Sequence, residues 1–262
     1  PYLNGFGNSA LFSLTAGVPS RMTILSGQPT SVSAGVTQSS NIVVRLHDAW
    51  GNTTSQSSTV SIAVNAVDPL NNTVVKKFLG GFTVSPLATS VTIAKENFTL
   101  TAAGDYQFRF SATDLSTTVS REFTIKNAAA AKLILTRDVP STISSGLTFS
   151  PALRLQVQDN YDNPVLDSVT TVSATLISGT LQSISGATAS NALGSSYIDF
   201  PNLNLAGTAG LKQLRLTAAN TGTPINGTSI DTAQFSLASG TAYALSVSAT
   251  VATVANRSTL SD

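Results

Sequence analysis

The chain reads as all-β: two consecutive antiparallel β-sandwiches, with a piece of a further unit at each end. Three observations predict this. Blocks of sequence recur about 111 residues apart, apolar residues alternate with polar ones inside each block, and Gly, Pro, Asn, Asp and Ser fill the intervals between blocks. The clearest repeat is Asp48-Ala49-Trp50-Gly51-Asn52 against Asp159-Asn160-Tyr161-Asp162-Asn163, and the apolar positions that flank it keep the same offset. Ile42, Val44 and Leu46 precede the first copy as Leu153, Leu155 and Val157 precede the second. Gly104-x-x-Gln107-Phe108-Arg109-Phe110 returns as Gly210-x-x-Gln213-Leu214-Arg215-Leu216. A closing block occurs three times, as Phe12-Ser13-Leu14, Phe123-Thr124-Ile125 and Phe235-Ser236-Leu237, each with an apolar residue ten positions after its Phe (Met22, Leu133, Leu245).

Period-2 alternation sends every second side chain to one face, so each alternating block is a strand with one face toward a core. In the first unit the strands are expected near 20–26, 41–47, 59–66, 73–79, 90–100, 105–112 and 119–126. In the second they are expected near 131–137, 152–158, 170–177, 180–184, 195–205, 211–219 and 230–238. Seven short strands in about 110 residues fit a two-sheet sandwich. No segment sustains a 3.6-residue period with caps. The boundaries follow from the repeat: 18–127 and 128–240 are whole units. Residues 1–17 are the final strand of a preceding unit or a strand donated to a neighbour. Residues 241–262 are the first strand of a following one. The junctions at Thr15–Val18, Lys126–Ala129 and Ala238–Thr241 are short and, past Lys126, uncharged, which favours a semi-rigid, rod-like array.

Composition narrows the function. Only 10% of the 262 residues are charged and the net charge is +1, so the clustered Lys and Arg of a nucleic-acid face are missing. Lys76-Lys77 is the only basic doublet and reads as a solvated strand edge. The surface is instead rich in uncharged hydroxyls, with 36 Ser and 35 Thr. The absence of cysteine excludes a disulfide framework and thiol chemistry. No run of 18 apolar residues spans a membrane in this segment.

An apolar strand ending in Asp-x-aromatic-x-Asn, a later Gly-x-x-x-Phe/Leu-x-Phe/Leu strand and a closing Phe-x-Ile/Leu strand resemble tandem immunoglobulin-like repeats. The likeness is to the bacterial invasin and intimin type, and to filamin-type repeats, and it covers both whole units. It implies tandem Ig-like antiparallel β-sandwiches in extracellular stalks, adhesins and filaments, and it fixes no ligand. No distinct tip domain is visible in the sequence.

Candidate site residues are few. Trp50 and Tyr161 occupy matching turns. The favoured expectation is that their rings cover the open end of each sandwich, and the other is partner contact or sugar stacking. Asp48 and Asp159 are expected to accept bonds from backbone N–H groups two residues on. Asp159, Asp162 and Asp167 have the oxygens calcium prefers, but lack a calcium-loop spacing, so turn chemistry is favoured over a metal. His47, the only histidine, is expected to face solvent. With one His, two Glu and no Cys, the usual acid, base and nucleophile sets are hard to assemble, and the expectation is no catalytic residue, no metal and no cofactor. Asn52, Asn71, Asn97, Asn226 and Asn256 head Asn-x-Ser/Thr sequons, although about this many arise by chance in a chain so rich in hydroxyls.

The function expected is a structural or adhesive module of an extracellular or cell-surface stalk, filament or appendage, carrying glycans if the chain meets a glycosylation machinery. Its partners would be neighbouring Ig-like units or subunits, not nucleic acid. The core expected to bear load is Leu46, Trp50, Phe108, Phe110 and Phe123 in unit one, and Val157, Tyr161, Leu214, Leu216 and Phe235 in unit two. The alternatives are a carbohydrate- or receptor-binding module using loop aromatics, and spacer domains of a larger secreted enzyme.

Overall fold

The computed structural model describes residues 10–219 and 223–241. Unit one holds β1 (Arg21–Ser26), β2 (Val32–Ser33), β3 (Ile42–His47), β4 (Val60–Val67), β5 (Val74–Val84), β6 (Ser90–Ile93), β7 (Gly104–Ala112), β8 (Leu115–Val119) and β9 (Phe123–Lys126). Unit two holds β10 (Lys132–Arg137), β11 (Thr142–Ser144), β12 (Leu153–Gln158), β13 (Thr171–Ser178), β14 (Ser183–Ser185), β15 (Thr188–Ser190), β16 (Tyr197–Phe200), β17 (Asn204–Ala206), β18 (Gly210–Ala218), β19 (Ser229–Asp231) and β20 (Phe235–Ala238). The described chain is all-β, with a single 3-10 turn at Lys95–Asn97.

The two units share a plan. In unit one β3 lies between β1 and β6, and β7 lies between β4 and β9. In unit two β12 lies between β10 and β16, and β18 lies between β13 and β20. A short parallel strand flanks each closing strand: β2 on β9, and β11 on β20. Even the irregularities repeat, since β1 bulges between Ile24 and Ser26 and β10 between Leu135 and Arg137. Such paired bulges bend the strand and raise its twist at the same place in each sandwich.

Alternation explains the cores. Ile42, Val44 and Leu46 are fully buried, and so are Leu153, Leu155 and Val157. Unit one centres on rings: Phe98 stacks on Phe108 at 4.8 Å, Phe78 meets both edge-on, and Phe123 sits 4.8 Å from Phe108. Unit two fills the same space with aliphatic side chains, among them Ile198, Leu203, Leu205, Leu214 and Leu216, around the Phe149–Phe235 pair. Of the residues expected to bear load, Leu46, Phe108, Phe110, Phe123, Val157, Leu214, Leu216 and Phe235 are buried.

Trp50 and Tyr161 are not core residues. Trp50 is 83% exposed and Tyr161 44%, so neither ring caps the sandwich as expected.

Several strand boundaries differ from the expectation for physical reasons. The strand expected over 90–100 ends at Ile93, where Asn41 Oδ1 accepts from Lys95 N and the chain turns, although Phe98 and Leu100 return to the core. The strand expected over 119–126 breaks at Ser120 and that over 230–238 at Thr232. In each break a side-chain hydroxyl replaces a ladder partner: Phe108 N donates to Ser120 Oγ at 2.8 Å, and Leu214 N to Thr232 Oγ1 at 3.1 Å. The strand expected over 195–205 splits at Pro201, which has no N–H to pair. β5 runs past 79 to Val84 because Leu79–Gly81 bulges out of register with β4. Residues 10–20 form no strand, and Leu11, Phe12 and Leu14 lie exposed. The expected strand of 241–262 falls, beyond Thr241, outside the described residues.

Candidate functional site

The best-defined polar constellation is the repeated Asp-aromatic turn, and it joins one unit to the next. Asp159 lies at the end of β12 with its side chain buried. Its Oδ1 accepts from Tyr161 N at 2.8 Å and Asn163 N at 2.9 Å, which forms the turn. Its Oδ2 accepts from Asn163 Nδ2 at 2.8 Å and from Ala128 N, in the linker, at 2.8 Å. Asp48 repeats every bond. Its Oδ1 takes Trp50 N and Asn52 N at 3.0 and 2.8 Å; its Oδ2 takes Asn52 Nδ2 and Gly17 N, both at 3.0 Å. Gly17 and Ala128 are themselves one repeat apart, so each carboxylate clamps the linker entering its own unit.

A carboxylate accepting four N–H bonds favours its ionised form. The Asn52 side chain and the amides of Gly17, Asn52 and Trp50 hold Asp48 down at about 2, against the opposing effect of burial. For Asp159, burial pushes upward, but the Asn163 side chain and the amides of Ala128, Asn163 and Tyr161 outweigh it and the carboxyl is lowered. The turn itself needs a left-handed residue at its fourth position. Gly51 supplies it with φ 93°, and Asp162 adopts φ 68° in the second copy.

Beyond the clamp, the second turn reaches back to unit one. Asn163 Nδ2 donates to Thr101 O at 2.7 Å, and Asn163 Oδ1 accepts from Ala103 N at 2.8 Å. One amide thus satisfies a carbonyl and an amide of the neighbouring sandwich while holding Asp159. Tyr161 lies against Gly35 of unit one; a Cβ built there would fall 2.0 Å from the tyrosine oxygen, and Gly35 has φ +78°. Gly35 therefore leaves room for the ring. Asn127 completes the junction by donating to Asp167 Oδ1 at 2.8 Å.

The other sequence candidates have structural partners. Asp162 Oδ1 accepts from Lys132 Nζ at 2.7 Å, so the three aspartates 159, 162 and 167 serve the turn, a surface ion pair and the linker. His47 does not simply face solvent. Its Nδ1 sits 3.1 Å from Gly51 O and its Nε2 2.8 Å from Thr23 Oγ1, which places the ring proton on Nδ1 and braces the first turn. Among the sequons, Asn71, Asn97 and Asn226 are exposed, Asn97 on the 3-10 turn instead of a strand. Asn52 is exposed with its amide nitrogen engaged by Asp48. Asn256 lies outside the described residues. Among the described residues, no cluster of three His, Cys, Asp or Glu is arranged to hold a metal, and no helix is long and apolar enough to cross a membrane.

Sequence reasoning found the Asp and the aromatic of each turn but not the reach of Asn163 across the junction. Nor did it find the hydroxyls of Ser120 and Thr232. The pairing of Gly35 with Gly146, its counterpart in the second unit, was a usable signal for an end loop that needs a left-handed residue.

No family model and no curated protein sequence matches the chain. Among solved structures it is similar to an Escherichia coli adhesin, FdeC, at 17% identity and a TM-score of 0.40, over 87% of this chain and 67% of that one. It is similar to chicken CNTN1 FN1–FN3 domains at 10% identity and TM-score 0.37, over 86% and 67% of the two chains. Domains 1–6 of the surface layer protein SbsC align at 13% identity and TM-score 0.31, covering 86% of this chain and 29% of that one.

Proposed function

We propose that the chain is a load-bearing spacer of an extracellular or cell-surface stalk, filament or appendage, in which the Asp-aromatic turn fixes the angle between consecutive Ig-like sandwiches. The observation that carries this is Asn163, whose one side chain bonds Asp159 in its own unit and both Thr101 O and Ala103 N in the preceding one. Interdomain contacts within a chain default to mobility unless something specific ties them, and here the ties are bonds to main-chain groups. The role is mechanical and non-catalytic: the sheets resist unfolding, and the clamped linker passes force from β9 into β12. Exposed sequons at Asn71, Asn97 and Asn226 and the hydroxyl-rich surface suit a glycosylated protein.

The test is the orientation of the two units in solution. Residual dipolar couplings of the intact chain are expected to fit one alignment tensor for both units. Asn163→Ala should split them into two tensors. Two tensors in the unaltered chain would refute the spacer reading. The sugar-binding alternative loses one of its two aromatics to the junction, since Tyr161 lies on Gly35.

A further inference from the structure

The face that unit two turns toward unit one has a counterpart on unit one, and among the described residues nothing covers that counterpart. Asp48 holds Gly17 as Asp159 holds Ala128. Trp50 stands where Tyr161 stands, alongside the linker, with Cζ3 3.6 Å from the position of a Cβ on Gly17. Asn52 stands where Asn163 stands. Yet Asn163 is buried and spends its amide on two main-chain groups of a neighbour, whereas Asn52 is exposed and bonds only within its own turn. Tyr161 is 44% exposed and Trp50 83%.

The segment leading into this face carries the missing counterpart. Phe12 and Leu14 are 81% and 85% exposed, while their repeat partners Phe123 and Ile125 are 3% and 1% exposed in β9. The equivalence extends to the strand break: Ser9, Ser120 and Thr232 each precede the closing Phe by three residues. In the two whole units that hydroxyl accepts from the amide of a core residue of the neighbouring strand. An apolar pair at strand spacing, preceded by this hydroxyl, is written for the edge of a sandwich core.

We propose that Ala10–Gly17 and the Trp50–Asn52 turn form one composite docking face for another Ig-like sandwich built like unit one. Phe12-Ser13-Leu14 closes that sandwich's sheet by strand addition. Asn52 bonds the carbonyl and amide of its end loop, and Trp50 covers the glycine of that loop. The proposal rests on the spacer reading and names the partner that meets its first turn. The interface is head-to-tail, because the turn of one unit meets the opposite end of the next.

Trp50 is the only tryptophan and reports directly on this face. A second copy of residues 18–119, carrying Trp50→Tyr, is fused directly to Ser9, so that Ser9–Thr15 falls where 120–126 falls in unit one. A control fusion carries residues 18–127, its own closing strand included, ahead of Gly17. The expected result is a third folded unit by calorimetry in both fusions. Acrylamide quenching of Trp50 should fall about twofold, the ratio of its exposure to that of Tyr161. Asn52→Ala in the fusion should return the quenching toward that of the starting chain. A copy that folds only with its own strand overturns the closing-strand half. Folded copies with unchanged Trp50 quenching overturn the docking half, as does a copy that folds in neither fusion. Failure of the spacer reading shows separately, as two alignment tensors at the middle junction.

Discussion

Replacing Asn163 with alanine deletes three hydrogen bonds and leaves the backbone free to keep its turn. The amide gives up Thr101 O at 2.7 Å, Asp159 Oδ2 at 2.8 Å and the N–H of Ala103 at 2.8 Å. A neutral bond contributes about 1 kcal/mol net and a bond to a charged group about 1.5 kcal/mol or more, which sets the loss at about 3.5 kcal/mol. Asn52→Ala is the internal control, because its side chain bonds Asp48 and nothing in a neighbouring unit. The two variants should differ by about 2 kcal/mol, the share of the two cross-junction bonds. Calorimetry or urea unfolding measures the total, fitted with separate transitions because a two-unit chain need not unfold in one step. Hydrogen exchange adds a local readout, since the Ala103 amide has Asn163 as its acceptor and should exchange faster in Asn163→Ala. Unchanged Ala103 protection, with stability within about 0.5 kcal/mol of the starting chain, would refute the junction's role.

Three further outcomes follow from the same geometry. Asp48 is held at about 2 in the folded state against 3.8 for a free side chain, so its clamp is fully present above pH 4 and lost as pH falls through 2; melting temperature should decline across that window, and a flat profile counts against the clamp. Thr232→Val removes the acceptor for the buried Leu214 N–H and should cost about 1–3 kcal/mol, while Thr232→Ser keeps the hydroxyl and most of the stability; equal midpoints in urea would contradict this. Trp50→Ala in the 262-residue chain should change stability by no more than about 0.5 kcal/mol because the ring is 83% exposed, and a large loss would restore the core role first expected of it.

What could be read from the sequence was whatever repeats with a period. Ile42, Val44 and Leu46 announce their burial through alternation, and the copy at Leu153–Val157 confirms the phase. Trp50 misled because aromatic character predicts burial only on average, and this ring stands 83% exposed on its turn. Asn163 was legible as a turn residue, but its two cross-junction bonds depend on where unit one ends, which no local pattern encodes. Ser120 and Thr232 were hidden for a related reason. In a chain that is roughly a quarter Ser and Thr, one hydroxyl that accepts a buried amide looks like any other. His47 was placed on the correct strand and phase, and only the geometry of the turn below it revealed the brace between Thr23 and Gly51.

The clamp acts on the linker through a backbone amide and not through a side chain. Gly17 and Ala128 differ, yet each donates the same N–H to its aspartate. Any amino acid but proline presents that donor. The joint is thus indifferent to what is written at the linker position, so long as Asp48 or Asp159 waits opposite. The linker position can therefore vary while its tie to the unit it enters is kept. A designer lengthening this chain would need to preserve in each unit the carboxylate, a residue other than proline 31 positions before it, and the asparagine four positions after it that reaches the preceding unit.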